Sequence, residues 1–432
     1  MKNLFILLAF FPSIVNSQTG WTWQELPPMP QAISNNAVCE AFANDTAYVY
    51  TFAGIDSTKI FSGINLQAMC YNTISEEWSV LPDLPDTLGK IGVGASFVND
   101  KIYIIGGYHV FQNGSEISSN KVHIYDPVAN TYLADGASIP VPIDDHVQAV
   151  WRDSLIYVVT GWSNNGNVNN VQIYNPFTDE WQVGTSTPNS NIYRAFGASG
   201  VIIGDTIFYN GGATGGQFNS TGRLRRGLIN PVNPTEIEWS QLGENPGAKG
   251  YRMAAASYED KAFWIGGSGI TYNYNGIAYN GSGGVPPLNR ILRYNSEPGN
   301  WFEGLGAPYG IMDLRGIARI SQTEFIICGG MEANQKVTDR SFLLTFDPLN
   351  TLSEASGIEV HIFPNPATDV LYVQLENGRN EISLIDSEGK VILRKKNAKT
   401  NFELPLDGIV PGTYFFNVEG EKGSRTEKLI VQ

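Results

Sequence analysis

An all-β fold built from many short strands is predicted by three features of the sequence. Gly and aromatic residues are plentiful, while charged residues make up 16% of the chain. That is the composition of strands joined by tight turns, because Gly supplies the positive φ that such turns need. No stretch beyond residue 20 keeps a 3.6-residue apolar period long enough to argue for a helix. Finally, one short pattern recurs along most of the chain, and internal repetition outranks local propensity in deciding a fold.

The pattern is a β run ending in Gly-Gly or in a small residue and Gly. Its copies are AYVYTFAG ending at Gly54, KIYIIGG at Gly107, LIYVVTG at Gly161, TIFYNGG at Gly212, KAFWIGG at Gly267 and EFIICGG at Gly330. They are spaced by roughly 50 to 60 residues, the period of a sheet-sized unit. A second signature follows: YNTISEEW (Tyr71 to Trp78), YDPVANTY (Tyr125 to Tyr132), YNPFTDEW (Tyr174 to Trp181) and YNSEPGNW (Tyr294 to Trp301). The fourth copy stretches it to INPVNPTEIEW, ending at Trp239. The sixth begins Phe346-Asp347-Pro348 and has no following aromatic.

That missing aromatic has a counterpart at the other end of the chain. WTWQELPPMP, which carries Trp21 and Trp23, resembles the segment after each Trp in the other copies, such as WSVLPDLP. The N-terminal strand is therefore expected to complete the last sheet as its outermost strand. Such closure removes exposed strand edges. The Gly pairs permit close backbone approach between neighbouring sheets. The Tyr and Trp residues bury large area while their polar tips find partners. All of these are expected to be core.

Gly-Gly followed by Tyr-(Asp/Asn)-x5-Trp at this period resembles the kelch repeat over about residues 20 to 350. The resemblance implies a six-bladed kelch-type β-propeller over residues 18–350, closed by the N-terminal strand. Kelch propellers include galactose-oxidase-like copper enzymes, a sialic acid epimerase family and plain binding domains, so the fold does not choose the function.

The chain begins MKNLFILLAFFPSIVNSQ, a Lys followed by an apolar run too short to span a bilayer. Residues 1–17 are expected to be an export signal cut before Gln18. No Cys near that point supports a lipid anchor, and no later segment is apolar enough for a transmembrane helix. A polar linker is expected over 351–357, and a small antiparallel β-sandwich over 358–432, with a hairpin turn at Ser387-Glu388-Gly389-Lys390. Phe363-Pro364-Asn365-Pro366-Ala367, Gly389, Pro411-Gly412-Thr413-Tyr414 and a terminal strand with Lys428 resemble the type A sorting domain of the type IX secretion system. This implies a Bacteroidetes-type bacterium, the secretion machinery as partner, and a secreted or cell-surface location.

The formal net charge of −14 argues against nucleic acid as a partner. The basic runs Arg223-Leu224-Arg225-Arg226 and Arg394-Lys395-Lys396 are too short to track a phosphate backbone. An odd number of cysteines (Cys39, Cys70, Cys328) is no disulfide framework. Cys39 and Cys70 fall in one blade, where a bond between them and two buried thiols are both open readings.

Counting back from each Gly pair places Asn36, Gly92, His146, Arg194, Arg252 and Arg315 at one inner-strand position, with Lys90 two residues before Gly92. Converging guanidiniums suit a carboxylate or phosphate; the alternative is pairing with Asp144, Asp145 and Asp313. The loop Ser268 to Asn289 holds Tyr272, Tyr274 and Tyr279 among Asn and Gly. Tyr108, Trp162 and Glu332 follow other Gly pairs on the same face. Aromatic faces near amides suit sugar rings; the alternative is an ordered loop packed on its neighbours.

A copper site of the galactose-oxidase type has too few ligands here. Of four His, only His109 and His146 fall near the channel, with no matching Cys-Tyr arrangement. No metal or other cofactor is expected. GGMEANQKVTD (Gly329 to Asp339) resembles the last blade of the sialic acid epimerase family, which would make Glu332 a base and Arg194, Arg252 or Arg315 a carboxylate clamp. The favoured reading is a non-catalytic extracellular propeller that binds a glycan or a protein. An epimerase or mutarotase acting on an anionic sugar, and a structural surface component, are the alternatives.

Overall fold

The computed structural model describes residues 14–16, 20–305, 307–348, 360–375, 380–386, 390–398, 400–420 and 423–432. Apart from Ile14–Asn16, the export signal lies outside the described residues, as do the linker over 351–357 and the turn residues 387–389. The chain divides into two compact units that part between Thr345 and Phe346; the second also takes in the short segment ending at Trp21. No helix among the described residues is long and apolar enough to cross a membrane.

The first unit is a succession of antiparallel sheets, each ordered from an inner to an outer strand. The first sheet runs Ala37–Ala43, Thr46–Ile55, Ile64–Asn72 and Glu77–Leu81. The next four begin at Ile91–Val98, Val147–Trp151, Phe196–Ile203 and Ala254–Tyr258. The last runs Ala318–Arg319, Glu324–Cys328, Ser341–Phe346 and then Trp21–Leu26, so the N-terminal strand closes a sheet begun some three hundred residues later in sequence (roughly, at one sheet per repeat). Burial alternates along Val147–Trp151, whose successive side chains point to opposite faces of the sheet, one face fully buried and the other partly so.

The Gly pairs act between sheets. The last Gly of each pair donates its N–H to a carbonyl of the next unit: Gly54 to Lys90, Gly107 to Ile143, Gly161 to Ala195, Gly212 to Gly250, Gly267 to Ile311 and Gly330 to Ile33, at 2.8–3.0 Å. The final link returns to the start, so the ring is closed. Gly106 shows why a side chain is excluded. Its φ is +70°, and a Cβ there would run into the carbonyl oxygen of Ile143.

The aromatic signature closes each sheet from outside. Tyr71 and Trp78, Tyr125 and Tyr132, Tyr174 and Trp181, and Tyr294 and Trp301 are cross-strand partners with ring centroids 5.0–5.2 Å apart. The outer ring then donates to the preceding sheet: Trp78 Nε1 to Pro27 O, Tyr132 Oη to Pro82 O, Trp181 Nε1 to Ala137 O and Trp239 Nε1 to Thr185 O. Pro27 follows the closing strand as Pro82 follows the first sheet's outer strand, so WTWQELPPMP stands where its sequence placed it. Trp23 is buried against Phe342, and Arg340 forks onto Glu25 with bonds of 2.6 and 3.0 Å.

Cys39, Cys70 and Cys328 are buried free thiols. Cys39 and Cys70 flank Tyr50 on the strand between them. Two strand spacings, roughly 9.6 Å, exceed the ~7 Å limit on Cα separation for a disulfide.

The second unit has a three-stranded sheet (Val360–Phe363, Val370–Leu375, Asn401–Pro405) and a four-stranded one (Val391–Ala398, Asn380–Asp386, Gly412–Gly420, Gly423–Val431). Leu371 and Val373 of one and Ile382, Leu384 and Phe416 of the other share one core, which makes the pair a sandwich. Asn365 ties its motif to the terminal strand by accepting from Ile430 N–H and donating to Lys428 O. Tyr414 Oη donates to Val410 O at 2.6 Å.

Candidate functional site

One residue per sheet takes a left-handed conformation where the inner strands begin. These residues are Asn35 (φ 55°), Gly92 (69°), Asp145 (46°), Gly197 (63°), Arg252 (49°) and Asp313 (65°). Hydrogen bonds join them in a circle. Gly92 N–H donates to Asn35 Oδ1, Asp145 N–H to Gly92 O, Gly197 N–H to Asp145 O and Arg252 N–H to Gly197 O; Leu314 N–H donates to Arg252 O and Asn35 N–H to Asp313 O, all at 2.6–3.2 Å.

This circle corrects the register read from the sequence. Gly92 and Arg252 are equivalent, but Asn36 and His146 lie one residue further on, Arg315 two further, and Arg194 three residues before Gly197. The strand and hairpin lengths between the inner strand and the Gly pair differ between copies (Val98 to Lys101 and Ile203 to Thr206, against Trp151 to Leu155 and Arg319 to Glu324), so counting back from the Gly pairs slips. One Arg, not three, stands in the ring.

Arg252 is the hub. Its side chain is wholly buried, with Nη2 and Nε on Asp145 at 2.5 and 3.2 Å and Nη1 on Asp313 Oδ1 at 2.9 Å. Ser34 Oγ and Asn35 Nδ2 complete the Asp313 carboxylate. The rings of Tyr251 and Tyr272 cover the guanidinium at 5.1 and 5.5 Å. Burial pushes the Asp145 carboxyl up, but the Arg252 and Arg315 guanidiniums outweigh it and hold it below the usual carboxylate range. Burial, together with the Asp145 charge, drives the neighbouring Asp144 well above that range.

The other expected residues divide. Arg315 and His146 join the hub: Arg315 Nη2 donates to His146 O at 2.9 Å and Nη1 lies 3.5 Å from Asp145. Lys90 does not. Its ammonium sits at 2.6 Å from Asp86 and 3.0 Å from His123 Nε2, within a buried cluster between sheets. Arg194 bonds Asn191 and does not line the channel. Tyr272 is fully buried on Tyr251, Tyr279 packs on Phe218, Trp162 on Phe196 and Phe218, and Tyr274 against the cluster containing Tyr108 and Ile55. The tyrosine loop thus packs over the hub end of the channel. Glu332 accepts from Tyr309, Thr338, Lys336 and Arg340, and none of its partners is a channel arginine. Burial raises its carboxyl, but the Tyr309 and Lys336 donors prevail and lower it.

Past the hub, the inner strands surround a cavity of about 470 Å³. His146, Gln148 and Arg315 form its floor, and Ser96, Ser199 and Glu40 contribute to its wall. At the far end stand Phe42, 48% exposed, and Phe97, whose ring meets it edge-on at 6.2 Å. Gln148 Nε2 donates to Ser96 Oγ, and its Oε1 accepts from His146 Nε2 at 3.0 Å. Burial and the nearby Arg315 charge push His146 down to about 4, so the ring is neutral at ordinary pH. His146 Nδ1 and Arg315 Nε are buried and have no hydrogen-bond partner among the described residues.

Sequence reading missed Gln148, Ser96, Ser199 and Glu40. Residues of an innermost strand face the next sheet as well as the axis, so no polar alternation singles out the channel wall.

Comparison with known proteins bears on both units. The model of the secretion system C-terminal sorting domain matches residues 361–432, and that of the kelch motif matches residues 91–132. Kelch-like protein 25 of Xenopus tropicalis is 25% identical over 216 residues, 48% of this chain and 33% of its own. Kelch-like protein terF of Aspergillus terreus is 27% identical over 207 residues, 44% of this chain and 42% of its own. The aligned regions therefore span less than half of those relatives' lengths. The solved structure of YjhT superposes with a TM-score of 0.59 at 17% identity, over 82% of this chain and 99% of that one. At that identity the likeness speaks for the fold.

Proposed function

For a chain that is a kelch-type propeller with a type IX secretion sorting domain, exported to the cell surface or beyond it, we propose that the propeller is a binding module which takes the end of a glycan into its channel. The observation that carries this reading is the cavity of about 470 Å³, lined by the polar side chains of Ser96, Gln148, Ser199 and Glu40 together with His146 and Arg315. Its size suits a small ligand, and a few polar groups lining such a cavity fix orientation and specificity. Phe42 and Phe97 at the far end supply aromatic faces of the kind sugar rings stack on.

The epimerase reading requires a free carboxylate beside a channel arginine. Glu332, held by four donors and lowered in pKa, supports it poorly. A glycan array probed with the full exported chain is expected to show retention that Phe42→Ala weakens. An array without retention, together with protein capture unaffected by Phe42→Ala, would move the ligand to the outer surface.

A further inference from the structure

The terminal strand Gly423–Val431 lies at the edge of its sheet, where its strand partner is Gly412–Gly420. Along its other side runs the segment Asn365-Pro366-Ala367, which ties down the end of the chain with four hydrogen bonds. Asn365 Nδ2 donates to Lys428 O at 2.6 Å, and its Oδ1 accepts from Ile430 N–H at 2.9 Å. Ala367 N–H donates to Ile430 O at 2.8 Å, and Ala367 O accepts from Gln432 N–H at 2.9 Å. Ala367 also forms a parallel bridge with Val431 and is fully buried. We infer that this clasp positions the chain end for the secretion machinery: the partner recognises residues 428–432 as a fixed edge held by Asn365, not as a free strand to which it adds one of its own.

The residue types fit that task. Pro has no N–H, so neither Pro364 nor Pro366 can donate to a neighbouring strand. The carboxamide of Asn365 supplies what the prolines cannot. It carries a donor and an acceptor, as a peptide group does, and it occupies one backbone acceptor and one backbone donor of the terminal strand. Asp offers only acceptors at neutral pH, and Ala offers neither. An open edge is a template for pairing with another strand. Here Lys428 O, both backbone groups of Ile430 and Gln432 N–H are already taken, so strand addition along this stretch must first displace the clasp. The side chains of Lys428 and Ile430 remain exposed, where a partner can touch them with the edge still closed. Asn365 lies 63 residues from Lys428 and 65 from Ile430, and all three fall within the stretch matched by the sorting-domain model.

The test compares full-length variants in a bacterium that has type IX machinery. It measures the share of protein reaching the surface and medium, and amide exchange over residues 428–432 in the purified full chain. In Asn365→Ala, exchange at Ile430 and Gln432 is expected to quicken about tenfold and export to fall about tenfold, while the melting transition of the second unit persists. Asn365→Asp, which keeps the acceptor and loses the donor, is expected to fall between. Thr426→Val is the control for general loosening. It removes the bond of 2.9 Å from Thr426 Oγ1 to Asn417 Oδ1, between the same two strands, and leaves the clasp in place, so export should not change. An equal loss of export in Thr426→Val would make Asn365 an ordinary stabilising residue and overturn the inference. Unchanged exchange or unchanged export in Asn365→Ala would each overturn it as well. Increased export would do so by showing that the clasp guards an edge the partner uses for strand addition. Unfolding of the second unit in both Asn365 variants would make Asn365 a folding residue and sink the positioning role.

Discussion

The two ends of the channel are built from the same inner strands and have opposite characters. At the end where those strands begin, each side-chain nitrogen of Arg252 and each carboxylate oxygen of Asp145 and Asp313 is drawn into an ion-paired hub roofed by Tyr251 and Tyr272. At the other, polar side chains border open space and Phe42 stands half exposed. Arginine in a channel is therefore no pointer to an acidic ligand by itself. What counts is whether its hydrogen-bonding capacity is already filled, and at this hub it nearly is.

The contrast is most severely tested at Arg252. Arg252→Ala strands two buried carboxylates and is expected to destabilise the propeller by about 3–5 kcal/mol in denaturant unfolding. A loss below ~1 kcal/mol would mean that the hub is not a structural clasp.

Acid is the next lever. Histidine in the unfolded chain titrates near 6.5, whereas His146 is held at about 4. The unfolded state takes up more protons between these values, so stability is full above roughly 6.5 and falls as pH drops toward 4, by on the order of 3 kcal/mol from this residue. His123, also lowered chiefly by burial, acts in the same direction. Unfolding midpoints measured from pH 7 to 4 should fall less steeply in His146→Gln; parallel slopes would refute the assignment.

Glu332→Gln weakens an ion-paired cluster on a side chain 16% exposed and is expected to cost about 1–2 kcal/mol, with sugar binding unchanged. Loss of binding without loss of stability would instead revive a catalytic part for that carboxylate. The smallest stability effect belongs to the open end. Phe42→Ser should alter unfolding by no more than about 0.5 kcal/mol yet weaken glycan retention, so equal retention by both proteins would remove Phe42 from the ligand's path.

Much of the architecture was legible because repeated chemistry marks repeated contacts. The second Gly of each pair had to be Gly where it donates to the next sheet, and the Tyr and Trp signatures had to recur where they face each other across strands. The missing aromatic after Phe346 pointed to the N-terminal tryptophans for the same reason. The site was less legible. Arg252 and Arg315 are both arginines near the start of inner strands, and nothing local distinguishes one whose fork is filled from one with a nitrogen to spare. Asp145 and Asp313, the partners that decide this, lie 107 and 61 residues from Arg252. Gln148, which fixes the proton of His146, sits in a strand whose composition resembles any other.

The forked pair between Glu25 and Arg340 spans 315 residues of sequence. A ribosome making this protein releases the first half of that clasp long before the second exists, and the matching half emerges just ahead of the sorting domain. The toroid therefore cannot be locked until the export address itself is being made. Any chain cut short before Arg340 also lacks the means to shut its own ring, so such a fragment is an unfinished one.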